Sequence, residues 1–219
     1  MNTDYKLFTR IIANYLRPWL AGILQPSKHC GLPGNTVFDA VATVQDSVAY
    51  AEATGIALCL LTIAFKEAFD KISQSYLYAL LRQNGLSDRF QQRIRNTYDS
   101  ATASKQTNRH KSSPIPIRSS VPQGCPIGTQ LFAVCLYPLL CTLQNNLAGI
   151  QIGRRCIKTT VVAYADDVTI FVASPTDIPK TQEALYCFVE ASGAKVNIGK
   201  SRTLAIGPWD TSVPIIISQ

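Results

Sequence analysis

Apolar positions along the chain switch between a helical and a two-residue spacing, and the switches divide it into elements. Tyr5, Leu7, Phe8, Ile11, Ile12 and Leu16 recur at helical intervals. They predict a helix over residues 3 to 16 that stops at Pro18, where a missing N–H breaks the hydrogen-bond ladder. After a turn at Gly31-Leu32-Pro33-Gly34-Asn35-Thr36, Val37, Val41, Val44 and Val48 predict a second helix with one apolar face. Thr36 or Asn35 caps it and Gly55 ends it. Ile56 to Phe65 is a mostly apolar run that suits a buried central strand. Ser73 starts a helix carrying Tyr76, Leu77, Leu80 and Leu81 as far as Gly85, and Ser87 caps another with Phe90 and Ile94 on one side.

The second half alternates in the same way. Ala101 to Arg118 is polar and basic with a Pro-Ile-Pro segment, and reads as a mobile hairpin or loop. Val121 to Pro126 is a compact turn, after which Thr129 caps a hydrophobic helix through about Leu143. From Thr159 to Ala173, two β-branched runs flank Asp166 and Asp167, which predicts two buried antiparallel strands joined by a tight turn. Asp177 or Thr181 opens an amphipathic helix that Gly193 ends. Ala194 to Asn197 and Thr203 to Ile206 then form short strands around Lys200, and the tail after Pro208 carries no pattern. No internal repeat or low-complexity linker interrupts the series. One α+β domain is expected, an antiparallel sheet packed against helices.

Charge and composition narrow what such a domain handles. From Arg82 to Arg118 eight basic residues (Arg82, Arg89, Arg93, Arg95, Lys105, Arg109, Lys111 and Arg118) face only Asp88 and Asp99, so the window holds six of the seven net positive charges. Such concentration suits a polyanion, most simply nucleic acid, or else a solvated helix face and loop. The seven cysteines are an odd number without a Cys-x-x-Cys pair and lie mostly in apolar runs, which suits buried thiols in a reducing compartment. Only His29 and His110 are present, too few for a His-rich zinc site. The N-terminus carries no signal-peptide core, and the longest apolar run, Leu131 to Leu143, is short and contains Pro138. An intracellular protein of nucleus or cytoplasm is expected, neither secreted nor membrane-bound.

The acidic turn concentrates the chemistry. Neighbouring carboxylates raise each other's pKa unless a cation neutralises them, so Asp166 and Asp167 between apolar strands suit a divalent-metal platform. The alternative is an exposed polar turn, since Asp is common there. Two-metal phosphoryl transfer draws carboxylates from separate elements, and the second donor would come from the end of the strand at Ile56 to Phe65.

Tyr164-Ala165-Asp166-Asp167 resembles the signature of reverse transcriptases, and the blocks around it resemble the non-LTR (LINE-type) retrotransposon members. Those blocks are Asp4-Tyr5-Lys6 with Ala13-Asn14 and Leu16-Arg17-Pro18, the Gly31 to Thr36 turn, Ala68-Phe69-Asp70-Lys71, Pro122-Gln123-Gly124-Cys125-Pro126, and Ser192 to Asn197 with Lys200. The likeness spans about residues 3 to 206 in the family's motif order. It implies a right-hand polymerase fold with fingers (about 1–55 and 84–122), palm (about 56–83 and 123–208), no thumb, and a tail at 209–219. It further implies RNA-templated DNA synthesis from a DNA primer and deoxynucleoside triphosphates with Mg²⁺. Carried over by position, Asp166 and Asp167 are the catalytic metal ligands, and Phe69 is the bulky gate against a ribose 2′-hydroxyl or, alternatively, core packing. Gln123, Gly124, Lys200 and Tyr164 face the nucleotide. Arg89, Arg93, Arg95, Lys105, Arg109, Lys111 and Arg118 are the expected nucleic-acid contacts.

One departure dominates. Where the family carries its first metal-binding Asp, six residues before the Asp of Ala-Phe-Asp, this chain carries Ala64. A methyl group cannot ligate Mg²⁺, and the adjacent Glu67 and Asp70 lie past the strand end. Pro122 and Asn35 likewise stand where many members carry Arg. The expectation is a decayed or partial retroelement copy with impaired catalysis; the alternative is a catalytically dead nucleic-acid-binding remnant.

Overall fold

A computed structural model describes residues 3–24, 36–98, 102–108, 110–117, 119, 125–153 and 157–210. In chain order the elements are α1 (Thr3–Ile23), α2 (Val37–Thr54), β1 (Leu58–Ile63), α3 (Ala68–Lys71), α4 (Gln74–Gln83), α5 (Asp88–Tyr98), β2 (Thr102–Ala103), β3 (Gln106–Thr107), β4 (His110–Lys111) and β5 (Ile115–Pro116). There follow α6 (Gly128–Asn146), β6 (Ile150–Ile152), β7 (Ile157–Thr159), β8 (Val161–Tyr164), β9 (Asp167–Val172), α7 (Asp177–Ser192) and β10 (Arg202–Ile206).

Four strands form the central sheet in the order β10-β1-β9-β8, every pair antiparallel. Because successive side chains point to opposite sides, each strand divides its residues between two layers. Cys59, Leu61, Ile63, Val161, Ala163, Val168, Ile170 and Val172 point back into one cluster with Leu16, Leu77, Leu81, Phe132 and Leu136 of the surrounding helices. Each buried Leu, Ile or Phe there contributes about 1.5–3 kcal/mol. The alternate residues Leu58, Leu60, Val162, Phe171 and Ile206 point forward and pack with Ala40 and Ala51 of α2 and Ile150. β1 is thus the buried central strand that its apolar run predicts.

Several element ends follow the predicted chemistry. Thr36 and Asp39 form a reciprocal capping box at the start of α2, and left-handed Gly55 ends it. Gly193 ends α7 in the same conformation (φ 74°), and a Cβ there would lie 3.2 Å from the Lys71 carbonyl oxygen, so only glycine fits comfortably. The basic stretch folds back on itself, β2 pairing with β5 and β3 with β4.

Others differ. α1 does not stop at Pro18 but runs through it to Ile23. An internal proline costs about 3 kcal/mol. Leu16 and Leu20 are buried on either side, and the Trp19 indole N–H donates to the Asn84 carbonyl at 3.2 Å, so packing outweighs the lost backbone bond. The valine stripe of α2 holds in part: Val44 and Val48 pack against the front-face cluster, Val37 and Val41 are exposed, and Ala40, Ser47 and Ala51 are buried, small residues that let the helix approach the sheet closely. Thr129 is not the cap of α6, which begins one residue earlier behind Ile127 and continues through Pro138 to Asn146. Thr159 belongs to the separate β6–β7 ladder. Of the predicted strand at Ala194 to Asn197, a single bridge between Val196 and Phe65 forms. Trp209 is buried in the main core, beyond the last predicted element. The turn at Gly31 to Asn35, and Pro122, lie outside the described residues.

Candidate active site

The acidic turn is a hairpin tip built by its own flanks. β-branched residues in β8 and β9 favour extended backbone, and the Tyr164–Asp167 pair closes the ladder. Ala165 and Asp166 then span the loop, with Ala165 left-handed at φ 52°, as tight hairpins require of their first loop residue. Asp166 is half-buried and Asp167 exposed. Partial desolvation first, and the charge of Asp166 second, raise the Asp167 carboxyl above its ordinary pKa. Among the described residues neither carboxylate forms a salt bridge.

The outlet of β1 lies beside this tip. Ile63 pairs with Val168 as the last pair of the β1–β9 ladder, so Ala64 leaves β1 at the end of the sheet where Asp167 begins β9. The other side of Ala64 is held by the segment between α7 and β10. The Asn197 N–H donates to the Ala64 carbonyl at 2.7 Å, and the Ala64 N–H donates to Ser201 Oγ at 3.2 Å. Lys200 sits exposed in that 197–201 turn, which therefore brings it to the same end of the sheet. Arg202 is committed locally, its guanidinium donating to the Gly199 and Ser201 carbonyls. Ser201 was not singled out in the sequence; its only signal is a small hydroxyl two residues before an extended run.

The donor set sets limits. Two adjacent carboxylates, one with a raised pKa, suit a cation, but the position facing them is a methyl group. No cluster of three acidic, His or Cys side chains occurs among the described residues. These residues do not fit a paired-ion centre. Glu67 does not fill the gap, since it is left-handed and ion-paired with Lys71 at 3.1 Å.

The remaining candidates lie on several elements. Phe69 is half-buried, its ring 4.6 Å from that of Phe132, so it is anchored on the core. Tyr164 projects from the front face, exposed. Arg89, Arg93, Lys105 and Lys111 are exposed, whereas Arg95 is half-buried with its guanidinium 4.2 Å over the Tyr78 ring. Gln123, Gly124, Arg109 and Arg118 lie outside the described residues.

Comparison with known proteins follows the same outline. The family described as reverse transcriptase (RNA-dependent DNA polymerase) matches residues 1–214. The Xenopus laevis "Transposon TX1 uncharacterized 149 kDa protein" is 30% identical over 207 residues, covering 94% of this chain and 16% of that protein. The Drosophila melanogaster "Retrovirus-related Pol polyprotein from type-2 retrotransposable element R2DM" is 28% identical over 140 residues, 64% of this chain and 13% of that protein. The chain thus spans less than a fifth of either relative. Among solved structures, telomerase from Candida tropicalis in complex with a fragment of telomeric RNA superposes with a TM-score of 0.63 at 13% identity, over 92% of this chain and 33% of that one. Telomerase from Candida albicans gives 0.60 at 15% identity, over 95% and 35%. At such identities the likeness is one of fold, a polymerase fingers and palm.

Proposed function

Since this chain belongs to the reverse transcriptase (RNA-dependent DNA polymerase) family, in company with retrotransposon proteins, we propose that it is a template-copying domain whose nucleotidyl-transfer step is impaired. The observation that carries the proposal is that β1 ends at Ile63, paired with Val168 next to Asp167, and is followed by Ala64 and not by a carboxylate. Mg²⁺ bound here would supply charge neutralisation at the triphosphate and activation of the primer end, the family's two-metal chemistry, and Asp166 and Asp167 alone would hold it.

The chain's other residues retain their expected tasks in this reading. The front face of the sheet beyond α2 receives the RNA template and DNA primer, and Lys200 and Tyr164 approach a deoxynucleoside triphosphate from the two edges of that face. Phe69, backed by Phe132, is stiff enough to exclude a 2′-hydroxyl. Gln123 and Gly124 complete the nucleotide's seat. Arg89, Arg93, Arg95, Lys105 and Lys111, with Arg109 and Arg118, hold phosphates, fingers occupying about 1–55 and 84–122 and palm about 56–83 and 123–208. Among the described residues no helix is long and apolar enough to cross a membrane, and work on nucleic acid places the chain in nucleus or cytoplasm.

Primer extension on an RNA template with Mg²⁺ tests the proposal. Ala64→Asp is expected to raise the extension rate at least about 100-fold, on the scale by which catalytic groups acting as a unit fail together. Equal, robust extension by both versions would remove Ala64 from the explanation. Salt-sensitive binding with no extension by either would favour the second reading, a nucleic-acid-binding module without catalysis, to which the missing carboxylate also points.

A further inference from the structure

A cleft of about 560 Å³ lies away from the acidic turn, lined by Ser73, Gln74, Ser75, Tyr78, Ala79, Arg82 and Arg95. Its floor is the outer side of α4, whose inner side, Leu77 and Leu81, packs into the cluster behind the sheet. Asp167, by contrast, belongs to the front. Seven residues separate Ser75 from Arg82, so the cleft follows the helix for about 10 Å. Among the described residues no acidic side chain lines it. Neither arginine forms an ion pair among the described residues. Arg95 lies flat on Tyr78, 4.2 Å from the ring centroid, which fixes the guanidinium plane while leaving its N–H edge available.

We infer that this cleft is a second seat for the phosphodiester backbone of a nucleic acid, separate from the front of the sheet. Two arginine forks supply charge and bidentate geometry, and the paired hydroxyls of Ser73 and Ser75 (2.7 Å apart) retain a proton to donate. An acidic peptide would satisfy the same charges. What favours nucleic acid is continuity with the basic hairpin, whose return leg reaches the cleft: Gln74 Nε2 donates to the Ile117 carbonyl at 3.4 Å, and Ser73 bridges Ser119. Lys105, His110 and Lys111 on that hairpin are exposed. The cationic track therefore continues past the cleft, which suits a long polymer of evenly spaced charges. The inference rests on the nucleic-acid-binding part of the proposed function but not on its catalytic part. Arg82, which that reading does not use, is the residue it adds.

Fluorescence anisotropy with a labelled single-stranded RNA 20-mer between 50 and 200 mM salt tests it. Each lost phosphate contact is expected to flatten the slope of log K against log salt by about 0.7–0.9. Arg82→Gln should do so once and the pair Arg82→Gln with Arg95→Gln twice, with about tenfold weaker binding for the pair, whereas Arg82→Lys keeps the slope. Arg82→Gln leaves the Arg95–Tyr78 stack intact, so its thermal midpoint should match the parent's and exclude unfolding as the cause. An unchanged slope in a parent that does bind would overturn the cleft alone. A parent without salt-sensitive binding would overturn the proposed function and this inference together. Displacement of the RNA by poly-glutamate at equal charge concentration would also overturn the assignment to nucleic acid.

Discussion

The two faces of the four-stranded sheet come from the same strands, residue by alternate residue, and end up under opposite demands. On β1, β8 and β9 the back face is apolar and covered by helices, with Leu61, Ile63, Val168 and Ile170 all at or below 1% exposure, while Thr203 and Ala205 of the edge strand β10 are exposed. The front face starts the same way, with Leu58, Leu60 and Phe171 under α2, but past α2 it turns to Thr62 and Thr169 and then to Ala64, Asp167 and Tyr164. Residues two apart on one strand thus pass from core to site within a few steps. Stability is concentrated behind the sheet, so the open end of its front can change composition at little cost to the fold.

The largest effect should come from breaking the back face. Leu61→Ala removes a fully buried side chain and is expected to cost about 2–5 kcal/mol, measured by urea denaturation. Its front-face neighbour Thr62→Ala, half-buried with a marginal 3.5 Å contact to the Thr169 hydroxyl, should stay within about 0.5 kcal/mol. Comparable losses at the two positions would dissolve the distinction. Thr36→Ala removes the capping box of the helix that covers the front, where the Asp39 N–H donates to Thr36 Oγ1 at 3.3 Å. It should cost about 1 kcal/mol in the same assay.

The smallest effect, opposite in sign, belongs to the tip. Because the folded-state pKa of Asp167 is raised, its contribution to stability is present below its ordinary value of 3.8 and lost as pH rises through the folded value. At neutral pH the ionised pair is therefore a burden. Asp167→Asn should raise the thermal midpoint slightly at pH 7 and leave it unchanged below that ordinary value. A lowered midpoint at pH 7 would mean that Asp167 has a partner in the folded state that its surroundings do not show.

Much of this layout was legible because local chemistry and global packing agree. The hairpin at the tip was readable from β-branched runs on both sides of Asp166 and Asp167, and Gly55 and Gly193 announce their helix ends since a left-handed residue is needed there. The outcome differs where tertiary contacts override a local signal, as at Pro18, whose helix continues because Leu16, Trp19 and Leu20 are anchored elsewhere. In α2 the valine spacing finds Val44 and Val48 but not the fully buried positions, because close approach to the sheet selects Ala40, Ser47 and Ala51 there. The β6–β7 ladder was not legible, since three-residue strands leave too little alternation to recognise. At that end of the sheet, the acidic hairpin tip was readable by pattern, but the hydroxyl of Ser201 on the Ala64 N–H depends on a chain reversal that no spacing encodes.

Ala165 occupies a backbone region that a β-carbon makes uncomfortable, at a cost of about 1 kcal/mol relative to glycine. Glycine there would relax the bend but also widen the set of shapes available to it. The methyl group narrows that set and so keeps the two neighbouring charges at a fixed spacing whether or not anything is bound. The tip is in effect a stiff bracket that holds out two adjacent carboxylates in one posture.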